Sequence, residues 1–307
     1  MQFGGVDQRK IFILAEEQLP KLGMAKRIHL MNPMVPGLTG TKMSSSEADS
    51  KIDALDSREA VSAKIANAVC PAGQVTDNGV ISFAEYVILP LLHGEPFIVA
   101  TKDGDRSFTD IQALQTAFQS KELNPEDLKL AVATFLNRLL DPIREKFDND
   151  DMRKLIAEAY PRFDEAPTSA LTDMNIDSKL TLTPAQQAQF DAIVSGLKIV
   201  GCTDRLKQKL SSGQAVNVLF SVAPVGKPHI GLLAPLIKLA HFANIGCKVT
   251  VLIADLFGYM DNMKCPWELR EQRSQYYEKM LKAMLKRLGV SLDQVRFLRG
   301  SQFQLKS

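Results

Sequence analysis

Apolar positions recur along the chain at two periods, and the order of those periods sketches its organisation. Leu128, Ala131, Val132, Phe135, Leu136, Leu139 and Leu140 fall at helical spacing behind Asn124-Pro125, a cap residue with a first-turn proline. They predict a long helix ending near Phe147. Ile11, Phe12, Leu14, Ala15 and Leu19 predict an earlier helix, capped by Asp7 and running to about Leu22. Asp56 with Glu59 reads as a capping box for a helix through Ala68. Residues 83–92 predict an apolar helix or buried segment and 96–101 a strand; 27–31 predict a short strand before a loop over 32–46.

From 161 to 182 the periodicity disappears and Pro, Ser, Thr and Asp accumulate, which is linker composition. Thr183-Pro184-Ala185-Gln186 then offers a capping box with proline at the first helical position. A helix to about Leu197 and a short one over 204–210 follow. Residues 216–222 read as a buried strand, entering the loop 223–231. A helix through Ala243, a strand over 248–253 and a helix over 266–288 complete a βαβα alternation. Such alternation predicts a parallel sheet with crossover helices.

Composition adds bounds rather than detail. The 307 residues suit two domains, and 45% hydrophobic with 23% charged residues is the balance of a soluble globular protein. No run approaches the length of a membrane span. Met1-Gln2-Phe3-Gly4-Gly5 has neither region of a signal peptide, so a cytoplasmic location is expected. A net charge of +2 gives no basic field that would advertise nucleic acid. Lys207 to Lys209 and Lys279 to Arg287 read as wet helix faces. Cys70, Cys202, Cys247 and Cys265 are scattered, with no CxxC pair; buried reduced thiols are expected, and no metal site.

The chemistry concentrates elsewhere. Lys42-Met43-Ser44-Ser45-Ser46 follows Val35-Pro36-Gly37-Leu38-Thr39-Gly40-Thr41, a Pro/Gly-punctuated approach to a polar loop that can close over polyphosphate. Lys42 would set a positive charge against oxygens that gain negative charge as a phosphate bond breaks. Taken alone, the pentad is no more than a solvated serine-rich loop. With Gln2-Phe3-Gly4-Gly5-Val6-Asp7-Gln8-Arg9-Lys10 upstream and His29-Leu30-Met31-Asn32-Pro33-Met34-Val35-Pro36-Gly37-Leu38 between, it closely resembles the class I tyrosyl-tRNA synthetases of the archaeal and eukaryotic type.

The second half resembles the same family, but its amino-terminal part. Gly226-Lys227-Pro228-His229-Ile230-Gly231 is similar to the HIGH-type signature loop; Ala254-Asp255-Leu256 and Tyr259 to Leu269 are similar to the strand-loop-helix beyond it. Backbone amides and an imidazole at a helix start suit ATP phosphates. The order is inverted, since in the family the HIGH-type half comes first. The segment between the halves, with its tyrosine-binding helix and dimer-forming insertion, is missing. The resemblance therefore implies a window from a tandemly duplicated, pseudo-dimeric synthetase, holding the end of copy one and the start of copy two. A circular permutation is the weaker rival. The chain alone is expected to lack a complete active site.

Two departures from the family bear on activity. Leu219 stands where the family carries a tyrosine that binds the substrate phenol, with Phe220 beside it, and Phe257 stands where it carries a histidine. The tyrosyl enzyme is itself the standard illustration of specificity through a hydroxyl partner. Pro228, His229, Ile230 and Gly231 are therefore expected to belong to a degenerate site. The stretch Lys102 to Phe108 lacks the tryptophan that stacks on an anticodon base, and the only tryptophan is Trp267.

The resemblance implies an α/β fold, with class I synthetase Rossmann-like sheet parts flanking a mostly α-helical anticodon-binding-type domain. The expected divisions are 1–50 (end of the copy-one catalytic domain), 51–160 (helical domain), 161–182 (linker) and 183–307 (start of the copy-two catalytic domain). It implies a tyrosine–tRNA ligase using ATP with magnesium and no prosthetic group, with tRNA(Tyr), L-tyrosine and ATP as partners. A pseudo-dimer contact between copies is expected, and no membrane. Lys42, Ser44, Ser45 and Ser46 would be catalytic, stabilising the leaving pyrophosphate. Gly4, Gly5, Asp7 and Gln8 would hold tyrosine and adenylate; Met31, Met34, Val35, Lys42 and Met43 would bind ATP. A non-catalytic fragment serving tRNA binding or assembly is the alternative, and the related tryptophanyl enzyme fits the motif wording poorly.

Overall fold

The computed structural model describes residues 1–25, 27–39, 51–160, 182–201, 203–261 and 263–304. Its strands are β1 (Gln2–Gly5), β2 (His29–Asn32), β3 (Phe97–Val99), β4 (Arg106–Phe108), β5 (Ile199–Gly201), β6 (Asn217–Val222), β7 (Lys248–Ile253) and β8 (Val295–Arg299). Six of them form one sheet in the order β5-β2-β1-β6-β7-β8. All neighbours are parallel except β5, which runs antiparallel along the edge beside β2. β1 and β6 meet at Gln2↔Leu219 and Phe3↔Phe220, so the two motif-bearing halves share a single sheet. β7, Lys-Val-Thr-Val-Leu-Ile, shows why the centre is strand: β-branched residues fit the pleat, and Val249, Val251 and Ile253 are buried.

The helices are α1 (Arg9–Gln18), α2 (Arg58–Ala66), α3 (Gly79–Phe83), α4 (Leu89–Leu92), α5 (Ile111–Gln119), α6 (Pro125–Phe147), α7 (Asp150–Ala159), α8 (Pro184–Val194), α9 (Thr203–Ser211), α10 (Leu233–Asn244), α11 (Asp255–Met260) and α12 (Arg270–Arg287). α10 and α12 cover β7, and α6 and α7 lie against α12. Tyr276 of α12 takes the edges of Phe147 and Tyr160, with ring centroids 6.1 and 5.5 Å away. The helical segment is thus packed directly on the parallel sheet's covering layer. α8 is held at its C-terminal end, where Lys238 donates to the carbonyls of Ala192 and Ser195 and His241 meets the carbonyl of Ala192. Cations at a helix C-terminus favour the orphan carbonyls and the dipole there.

Several expectations hold in detail and several shift. Asn124 caps α6 and the Thr183–Gln186 capping box opens α8, both as the sequence indicates. Asp7 does not cap α1: it lies within a 3-10 turn over Val6–Gln8, and the α-helix ends at Gln18 instead of Leu22. Ser57 caps α2, accepting from the Ala60 amide at 3.1 Å. Asp56, one residue earlier, accepts from the Asp53 amide and pairs with Lys64 at 2.7 Å. The apolar run over 83–92 is split by a π turn at Ala84–Ile88. Pro90 has no amide hydrogen and its ring would strike the carbonyl four residues back, so the helix widens before it. The stretch Lys102–Asp105 is the turn of the β3–β4 hairpin, with Gly104 at φ 112°. No helix among the described residues is long and apolar enough to cross a membrane.

Candidate functional site

Within the sheet the chain runs outward in both directions from one seam: β6, β7 and β8 step one way, β1 and β2 the other. The strand order therefore reverses between β1 and β6. Open α/β sheets bind ligands beyond the carboxyl ends of their strands at this reversal. Three of the sequence-predicted groups lie at the carboxyl ends of adjacent strands here. Gly4, Gly5, Asp7 and Gln8 end β1, Met31 to Val35 end β2, and Pro228 to Gly231 follow β6. Lys42, Met43, Ser44, Ser45 and Ser46 lie outside the described residues.

The glycines of β1 have a specific steric reason. A Cβ on Gly4 would collide with the amide oxygen of Gln8 and press on the ring of Phe12 at 3.1 Å; one on Gly5 would collide with the carboxylate of Asp7. Both side chains fold back over the strand end, and only glycine leaves them room. On β2, Met31 stands opposite Gly4 and is buried, as is Val35, while Met34 is half-buried. The following residues are bolted to the helical segment. The Val69 amide donates to the carbonyl of Leu38 at 2.8 Å, and Gly79 lets α3 begin against the carbonyl of Gly37.

The segment Lys51–Ala54 is paired with the loop after β6. Ile230 donates to Ile52 at 2.9 Å, Ala54 donates to Pro228 at 3.4 Å, and Asp53 bridges His229. Lys51, itself buried, stands 3.5 Å from the Asp53 carboxylate. Burial pushes the Asp53 carboxyl above its ordinary range, and the Lys51 charge opposes that rise. From the helical segment, Arg144 donates to the carbonyl of Asp56 at 2.7 Å and fixes the far end of this strap. His229 itself caps a 3-10 turn over Ile230–Leu232: its Nδ1 accepts from the Gly231 amide at 3.2 Å, and α10 starts directly behind. The 12-residue α10 thus starts at the reversal point, with the amides of Ile230, Gly231 and Leu232 engaged by the Ile52 carbonyl, the His229 ring and the His229 carbonyl.

The loop's other side is held by residues that sequence reasoning left out. Tyr160 and Tyr277 both donate to the carbonyl of Gly226, at 3.0 and 2.6 Å. Burial pushes both phenols far above their usual range, so they stay protonated donors. Arg273 donates to the carbonyls of Ala159, Val225 and Lys264. Asp255, fully buried, receives the amides of Leu256 and Ser301 and pairs with Arg270 at 2.8 Å. A signal for Arg273 exists: with Tyr276, Tyr277, Met280, Leu281 and Met284 it falls on the apolar stripe of α12.

The two substituted positions lie in different surroundings. Leu219 is half-buried toward the amino ends of the strands, lining a cavity of about 860 Å³ with Arg27, Arg205 and Lys209. Phe257 is 50% exposed on α11.

The family described as tRNA synthetases class I (W and Y) matches residues 1–141 and 211–307. A cytoplasmic tyrosine–tRNA ligase of Gallus gallus is 48% identical over 216 residues, which is 69% of this chain and 41% of the relative. One from Xenopus tropicalis is 54% identical over 163 residues, 52% of this chain and 30% of its own. A solved tyrosyl-tRNA synthetase from Archaeoglobus fulgidus, complexed with L-tyrosine, is 43% identical. That likeness covers 47% of this chain and 44% of that one, with a TM-score of 0.44. The chain spans less than half the length of each of these relatives.

Proposed function

The chain belongs to the class I tRNA synthetases of the W and Y group, and on that footing we propose that it serves the ATP-dependent attachment of tyrosine to tRNA. In this reading the tyrosine carboxylate attacks the α-phosphorus of ATP, and the bond to the pyrophosphate oxygen breaks. The terminal ribose hydroxyl of the tRNA then takes the tyrosyl group, and AMP leaves. The substrate is ATP with its magnesium counter-ion. The reversal of strand order between β1 and β6 is the observation that carries the proposal, because it faces both motif-bearing halves toward one edge.

The roles follow from chemistry and position. Asp7 holds the adenylate ribose and Gln8 the tyrosyl moiety, with Gly4 and Gly5 leaving them room. Met31, Met34 and Val35 offer apolar surface to adenine. Pro228 to Gly231 bring the His229 imidazole toward the phosphates, on a loop whose Ile230 and Gly231 amides are held by Ile52 and the His229 ring. Lys42, with Met43 and Ser44 to Ser46, meets the departing pyrophosphate, where its charge gains strength as the bond breaks. A second reading, a non-catalytic piece serving tRNA binding or assembly, is favoured by the chain's share of its relatives' length, 41% of the Gallus gallus ligase.

Amino-acid-dependent exchange of labelled pyrophosphate into ATP separates them. Exchange with tyrosine, little with phenylalanine or tryptophan, and loss in Lys42→Ala supports the ligase. tRNA binding without exchange supports the second reading, and exchange driven by tryptophan overturns the tyrosine assignment.

A further inference from the structure

Arg273 is 6% exposed, and its guanidinium joins three separate segments. Nε donates to Ala159 at the end of α7 at 2.9 Å; Nη1 donates to Val225 in the signature loop at 2.5 Å and to Lys264 after α11 at 2.8 Å. The same guanidinium lies over the ring of Tyr160, 4.8 Å from its centre. A rigid fork of donors reaches three carbonyls only when the three segments are in register, which a lysine cannot reproduce. Beside it the Gly226 carbonyl receives both Tyr160 and Tyr277, filling its two lone pairs.

In a trans peptide the carbonyl and the next amide point in opposite directions. Holding the Gly226 oxygen against two inward hydroxyls therefore turns the Lys227 N–H the other way. The burial pattern agrees, since Gly226 is buried and Lys227 exposed. That amide lies in the loop between β6 and α10, at the reversal point.

We propose that Arg273, with Tyr160 and Tyr277, is a positioning device that makes the orientation of the Gly226–Lys227 peptide, and so the phosphate-facing side of the loop, conditional on docking of α7. The ligand rests on the synthetase reading above; the clamp itself rests on geometry alone. Loosening α7 releases Tyr160 and one arm of Arg273 together, and the peptide is then free to present its carbonyl, which repels phosphate, in place of its amide.

The test uses the full chain. Hydrogen exchange is followed over 150–160, 223–231 and β7 in wild type, Arg273→Lys and Tyr160→Phe, alongside calorimetry with magnesium ATP. Arg273→Lys should speed exchange in 150–160 and 223–231 together by about tenfold, leaving β7 unchanged, and weaken ATP binding by about tenfold. Tyr160→Phe should produce a smaller effect in the same two segments. Faster exchange in 150–160 with 223–231 and ATP affinity unchanged overturns the clamp. Should Arg273→Lys loosen the whole chain, Tyr160→Phe decides: wild-type loop exchange and ATP affinity in that variant overturn it. A wild-type chain that binds no ATP refutes the synthetase reading, and the exchange data still decide the clamp.

Discussion

Gln2 and Leu219 stand opposite each other in parallel register, although more than two thirds of the chain lies between them. Next to this pair Phe3, 2% exposed, meets Phe220 at 5.9 Å and the edge of Phe242 at 5.4 Å. The seam is therefore apolar and tightly filled. Phe3→Ala should cost about 3–5 kcal/mol through lost burial and the cavity left behind. Trp267, the only tryptophan, reports from the other side of the seam. Denaturant unfolding followed by its fluorescence should show a lower midpoint; an unchanged midpoint would mean that the halves are not energetically coupled.

Gly5 has an ordinary φ of −75°, so its requirement for glycine lies in the Asp7 side chain and not in the backbone. Asp7 is exposed and can swing aside. Gly5→Ala should therefore cost less than about 1 kcal/mol of stability while weakening adenylate-analogue binding. In an Asp7→Ala background the same substitution should have little further effect on binding. Independent, additive losses in the double variant would remove the steric explanation.

His29 is 2% exposed, stacks on Phe12 at 4.9 Å, and has no hydrogen-bond partner at either ring nitrogen among the described residues. Burial holds it below its ordinary value of 6.5, with Glu16 opposing. The unfolded chain therefore takes up the proton first as pH falls. Stability from the neutral ring is fully present above about 6.5 and is lost as the pH drops below it. His241, lowered chiefly by burial, contributes in the same direction. His29→Phe should flatten the fall in melting temperature between about pH 7 and about pH 5; an unaltered slope would place the acid sensitivity elsewhere.

Ser57 and Asp56 are adjacent and do different things. Ser57→Ala should cost about 1 kcal/mol as a lost cap, independent of salt. Asp56→Ala removes a half-buried ion pair with Lys64, so part of its cost should shrink as ionic strength rises. Salt titration of both melting curves checks the assignment, and a reversed pattern would make Asp56 the cap.

Strong local signals were legible in the sequence. Asn124-Pro125, Thr183-Pro184 and the β-branched run of β7 determine their structure within a few residues, and all three appear as read. Short edge elements were not legible. β5 is three residues long, and its pairing with His29–Met31 is a tertiary fact with no local trace. The site was legible as motifs, because residues such as Gly4 and His229 lie close in sequence to distinctive neighbours. Arg273 was legible only as a member of the apolar stripe of α12; its carbonyl partners come from three distant segments and leave no local trace. Asp56 was misread because two adjacent residues both satisfied a capping pattern, and only backbone geometry selects Ser57.

The β1–β6 seam also governs how the chain must fold. The β3–β4 hairpin and the packing of α5 on β4 close over short loops, and such contacts form early. The seam closes last among the sheet pairings, since more than two thirds of the chain lies between Phe3 and Phe220 and the loop-closure entropy is met only then. Until it closes, β1 and β6 each present an unpaired strand edge, that of β6 rich in apolar residues, and each is a template for another copy. The slow, aggregation-sensitive phase of refolding should therefore be the joining of the two halves, and it should lengthen in Phe3→Ala while helix formation keeps its rate.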